Sequence, residues 1–115
     1  MEGYKVVRPS LMPGIFTSAI LSCHDGTMWY KIGKVAHRKA GDGPLAVFGR
    51  VEDAKEFCNI HCSDTGRIFK CVYTPTKLKT KWLWYMRQTG EKVTRMLLPR
   101  GTVLADSVKL LEGNL

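Results

Sequence analysis

A change of hydrophobic period that occurs once along the chain constrains the fold most. Within residues 51–62 the apolar-face positions are Val51, Ala54, Phe57, Cys58 and His61, with Glu52, Asp53, Lys55, Glu56 and Asn59 largely opposite. That spacing is the stripe of a helix with one face against a core. Its three acids fall in the first half, where they favour the positive end of the helix dipole. The other segments that repeat do so every two residues, as strands do. Residues 67–73 set Ile68, Lys70 and Val72 against Phe69, Cys71 and Tyr73, and Pro75 stops them. Residues 77–87 set Lys77, Lys79 and Lys81 against Leu78, Thr80 and Trp82. Thr89-Gly90 then turns the chain, and residues 93–98 return as a hairpin partner.

Shorter segments complete the pattern. Residues 4–8 have strand composition and end at Pro9, and residues 15–22 follow the turn-prone Pro13-Gly14. Asp25-Gly26 leads into residues 27–32, which predicts an early hairpin. The wholly apolar Leu45-Ala46-Val47-Phe48 predicts a central strand. Residues 37–44, rich in glycine and charge, predict a loop. After Gly101, residues 102–104 predict a strand, Asp106 a turn whose side chain bonds nearby backbone, and residues 107–110 a last strand. The sum is an α+β chain: a curved, mostly antiparallel sheet of about six to eight strands with one main helix packed on one face.

The 115 residues hold no repeat and no linker, so residues 1–115 are read as one domain. The chain is 44% apolar and 24% charged, an ordinary globular composition. A chain of this size buries roughly two-thirds of its unfolded surface. A ligand is therefore expected at a surface cleft, not in a deep cavity. No stretch reaches the ~18 apolar residues of a membrane span. The opening Met1-Glu2-Gly3-Tyr4-Lys5 lacks the basic start and apolar middle of a signal peptide. The expectation is a cytoplasmic protein with its four cysteines reduced.

Charge is distributed unevenly. Residues 1–66 hold eight Lys/Arg and seven Asp/Glu, whereas residues 67–115 hold ten Lys/Arg and three Asp/Glu. Between Lys77 and Arg100 the only acid is Glu91. Such asymmetry points to an anionic partner, nucleic acid or a nucleotide-type ligand, although a solvated face also uses surface charge. The candidate anion-binding residues are Lys77, Lys79, Lys81, Arg87, Arg95 and Arg100. Lysines supply phosphate attraction and exposed aromatics stack on bases. Alternation puts Tyr85 and Arg87 on the lysine face and Trp82 and Trp84 opposite, with Leu78 and Met86. Lysines repeated along an edge strand also block sheet-to-sheet aggregation, a second explanation for the same residues.

Other chemistry is less well supplied. Cys58, His61 and Cys62 share a helix face, and Cys23, His24 or Cys71 could add a fourth zinc ligand. No Cys-x-x-Cys pair exists, and the same face must bury apolar surface, so these residues are read as core and neither metal nor cofactor is expected. Phosphate-cradling glycine motifs are absent. A competing enzyme reading would build a cleft from loop residues such as His24, His37 and Arg38. A protein–protein interaction module is a third class.

The chain resembles a scattered set of small uncharacterised single-domain proteins of viral and microbial type. The resemblance rests on Tyr4-Lys5-Val6-Val7 with Ser18, Trp29-Tyr30-Lys31-Ile32-Gly33, Leu45-Ala46-Val47-Phe48 with Ala54 and Phe57, Ile68-Phe69-Lys70-Cys71, and the run Gly101-Thr102-Val103-Leu104-Ala105-Asp106-Ser107-Val108. It implies a compact single domain and no particular activity. Thr17-Ser18 on an early strand, followed by a strand and a helix, is similar to ADP-ribosyltransferase-type domains. No glutamate stands where their catalytic glutamate would, so no functional residue carries over.

Overall fold

The computed structural model describes residues 1–19, 29–38, 44–62, 64–77, 82–85, 92–94 and 98–114. The elements are β1 (Glu2–Pro9), β2 (Phe16–Ser18), β3 (Trp29–Tyr30), β4 (Val35–His37), β5 (Leu45–Phe48), α1 (Val51–His61), β6 (Arg67–Pro75), β7 (Trp82–Tyr85), β8 (Lys92–Thr94) and β9 (Thr102–Asn114). Seven strands form one antiparallel sheet, and β7 and β8 form a separate two-stranded one.

The large sheet closes into a small barrel, where the sequence predicts only a curved sheet. Strand β1 pairs β6 from Glu2↔Val72 to Val7↔Arg67, and meets β5 at Tyr4↔Phe48. Strand β9 pairs both β5 and β6, which completes the ring. Closure removes sheet edges that would otherwise need protection. Strands β2 and β3 extend outward from β1, and β4 from β9.

Alternation along these strands divides the core in two. Lys5 and Val7 of β1 face the same side as Phe69, Cys71 and Tyr73 of β6, where Leu45, Val47, Val108 and Leu110 also pack. The opposite side carries Val6, Ala46, Phe48, Ile68 and Leu104, covered by Ala54 and Phe57 of α1. The helix therefore lies where its stripe predicts, on one face of the sheet, and ends at Cys62, whose amide donates to the Cys58 carbonyl.

Three local expectations need correction. Residues 37–44 are not all loop, because His37 belongs to β4, paired with β9 through Val35↔Lys109 and His37↔Ser107. A strand of three residues, two of them exposed, leaves little sequence signal, and β9 supplies the pairing. The C-terminal segment is one 13-residue strand, not two short ones. It continues through Asp106 because β4, β5 and β6 all bond to it along its length. Asp106 is therefore a strand residue and not a turn former. The early hairpin is present as Phe16↔Tyr30 and Thr17↔Trp29, with shorter strands than residues 15–22 and 27–32. Its Asp25-Gly26 turn lies outside the described residues.

Candidate functional site

The basic segment leaves the barrel at the end of β6 and returns at the start of β9. Its middle is a hairpin, with Trp82↔Thr94 and Tyr85↔Lys92 paired and an irregularity between Trp82 and Trp84. Of the six candidate cations, Lys77 and Arg100 are described, and both are exposed. Lys79, Lys81, Arg87 and Arg95 lie outside the described residues.

The two roots of this segment are held together. The Thr76 amide donates to the Leu104 carbonyl at 3.0 Å, which joins one root to the other, and within the second root the Thr102 hydroxyl donates to the Pro99 carbonyl at 2.6 Å. Between them is an open cavity of about 490 Å³, lined by residues that include Pro75, Thr76, Leu98 and Pro99. Lys77 and Arg100 adjoin that lining in sequence. Gly101 sets the turn that presents Arg100, with φ +81°, a conformation L side chains rarely adopt. A Cβ at Gly101 would also collide with the Asp53 carboxylate of α1. Gly101→Ala is accordingly expected to destabilise the protein by about 1–3 kcal/mol, read from urea denaturation.

A third cation stands at this end. Arg38 Nε donates to Asp106 Oδ1 at 2.9 Å, and the Thr76 hydroxyl donates to the same oxygen at 2.6 Å. The Thr76 hydrogen bond, with help from Arg38 and the charge of Lys77, holds the Asp106 carboxyl below its ordinary pKa. Asp106 thus positions Arg38 beside the root of the basic segment, a role that has no local sequence signature. His37 is exposed on β4 next to Arg38, and His24 lies outside the described residues.

A buried amine is a further feature that sequence reasoning misses. Lys5 is 1% exposed. Its Nζ donates to Ser18 Oγ at 2.9 Å and to the Ala46 carbonyl at 2.5 Å, and stands 5.1 Å from the Tyr30 ring centroid. Burial pulls its pKa down to about 7. Burial likewise pushes the nearby Cys71 thiol up to about 11 and raises the Tyr30 phenol. The only sequence signal is position: in β1, period two places Lys5 with Gly3 and Val7 on the face that closure turns inward.

Cys58, Cys62 and Cys71 carry free thiols. Cys58 and Cys62 pack under Gly66, where a Cβ would strike both residues. The His61 ring lies 4.9 Å from that of Phe57, but His61 is exposed at the end of α1 and is not the core residue that its place on the stripe predicts. Among the described residues no three His, Cys, Asp or Glu side chains gather as a metal site. No described helix is long and apolar enough to cross a membrane. Comparison with known protein families, with curated proteins and with solved structures finds no match for this chain.

Proposed function

We propose that this chain is a non-enzymatic binding protein that engages nucleic acid through its basic C-terminal segment. The observation that carries the reading is the concentration of charge: ten Lys/Arg against three Asp/Glu in residues 67–115. The fold is compatible with it, since Lys77 and Arg100 are exposed at the roots and Arg38 is positioned nearby by Asp106. Phosphate contacts by lysine and arginine release condensed counterions, so affinity falls steeply with salt. Edge protection alone would not call for Arg87, Lys92, Arg95 and Arg100 in addition to the three lysines.

Replacing Lys77, Lys79 and Lys81 together by Gln separates these uses. Phosphate binding by these lysines predicts weaker affinity for a single-stranded RNA and a salt slope flattened by roughly 0.7 log units for each phosphate no longer neutralised. Anisotropy titrations at several salt concentrations measure both. Unchanged binding with new self-association would assign the lysines to edge protection instead.

A further inference from the structure

A second surface combines an exposed aromatic ring with lysines. Strands β3 and β4 stand at opposite ends of the hydrogen-bonded path β3-β2-β1-β5-β9-β4, yet only residues 31–34 separate them in the chain. This short connection crosses the seam between the two strand edges. It is pinned there by the Gly33 amide, which donates to the Leu110 carbonyl at 2.8 Å, and closed by the Lys34 amide donating to the Lys31 carbonyl at 3.1 Å. A groove of about 320 Å³ follows the seam, lined by Ile15, Trp29, Lys31, Lys34, Val35 and Ala36.

The groove is amphipathic in a particular way. Trp29 is 60% exposed and Val35 50%, whereas Tyr30 between them in sequence is buried. Large exposed apolar side chains gathered in one place mark interaction sites. Lys31 is two residues from Trp29, about 7 Å along an extended chain. Neither Lys31 nor Lys34 is paired with a carboxylate among the described residues. A partner must therefore offer a flat apolar face and negative charge within one short reach. A nucleotide does so, because its base presents a π-face and its phosphate an anion. An apolar peptide would leave both ammonium groups unanswered.

We propose that the β3–β4 seam is a nucleobase-stacking site for single-stranded nucleic acid, with Trp29 under a base and Lys31 and Lys34 on the flanking phosphates. The inference rests on the function proposed above for its ligand class, and the probes separate the two. Two fluorescent ligands serve: an eight-residue oligouridylate, and an abasic deoxyribose-phosphate oligomer of the same length, which keeps the charge and lacks the bases. Trp29→Ala should weaken the oligouridylate by about 5- to 150-fold, the range expected for removing one base stack. It should leave the abasic oligomer little changed, and Trp29→Phe should restore most of the affinity. Lys31→Gln with Lys34→Gln should weaken both probes and flatten the salt slope. Val35→Glu, at a half-exposed position, should repel both ligands and serves as an independent check should Trp29→Ala fold poorly.

Replacing Lys77, Lys79 and Lys81 by Gln should preserve the preference for bases. If that change alters nothing while Trp29→Ala weakens binding, the seam stands and the C-terminal reading falls. The proposal is overturned if Trp29→Ala binds oligouridylate like the parent, or lowers both probes equally. It is also overturned if sedimentation finds a dimer that Trp29→Ala abolishes, since the seam would then be a self-association face.

Discussion

The protein is expected to gain stability as pH rises from 7 to 9, and Lys5→Met is expected to abolish that gain. Lys5 is a charged residue type in a position that period two and barrel closure turn inward. Folding removes the amine from water, and burial lowers its pKa from 10.5 to about 7. Below pH 7 it is protonated in both states, and folding then carries the full cost of a buried ammonium. Between about pH 7 and 10.5 the unfolded chain binds more protons than the folded one, so stability increases with pH. Each pH unit across that window is worth about 1.4 kcal/mol, or about 3 kcal/mol by pH 9. Cys71 acts in the opposite sense. Its thiol is raised from 9.0 to about 11, so above pH 9 the folded state binds the extra proton and stability falls as pH rises. Above pH 9 the two slopes cancel, so the rise ends near pH 9 and stability stays roughly level until the unfolded Lys5 also loses its proton near pH 10.5. Urea denaturation at pH 6, 7, 8 and 9 measures the effect on the parent and on Lys5→Met. A flat parent profile over pH 7–9, or an unaltered rise in Lys5→Met, would contradict the assignment.

Phe57→Ala is expected to cost about 3–5 kcal/mol. Phe57 is 8% exposed at the centre of the helix face that covers the sheet, with ring centroids 5.6 Å from Phe48 and 4.9 Å from His61. Truncation removes the apolar transfer term and leaves a cavity that Ala54 and Ile68, held by their own backbones, fill only in part. A second effect follows on the site. Helix α1 also sets Asp53 against Gly101, so loosening the helix loosens the turn that presents Arg100. Chemical denaturation of Phe57→Ala measures the first effect. A cost below about 1 kcal/mol would mean that the helix packs less tightly than its burial indicates.

The helix and its face are legible in the sequence because Ala54 and Phe57 recur at helical spacing and meet a sheet that needs covering. Strand β5 is legible because four consecutive apolar residues have no solvated face, and all four are buried. In β6 the sequence shows two alternating rows. The charge of Lys70 marks the row of Ile68, Lys70 and Val72 as the outer one, but the sequence does not show that Ile68 of that row is buried beneath α1. Closure is not legible at all. It rests on pairings between distant segments, such as Tyr4↔Phe48, and on β9 bonding three partners, neither of which leaves a local pattern. The two site features hidden from the sequence share a cause. Lys5 looks like an ordinary surface lysine until the barrel encloses it. Trp29, Lys31 and Lys34 look like strand and turn residues until β4 comes alongside β3. The charge asymmetry, by contrast, needs no fold to be seen, because net charge along a segment does not depend on how the segment packs.

Salt dependence of nucleic-acid binding by the unaltered protein bears most directly on the proposed function. Affinity for a single-stranded RNA would be measured by anisotropy between about 50 and 200 mM salt. With Z phosphate contacts the logarithm of affinity should fall linearly with the logarithm of salt concentration, with slope about −0.7Z. Contacts by Lys77, Lys79 and Lys81 alone would give a slope of about −2, and participation of the arginines would make it steeper. Binding with a slope of about −2 or steeper is the expected outcome. No binding to RNA, DNA or nucleotides at low salt would refute a nucleic-acid role for the basic segment.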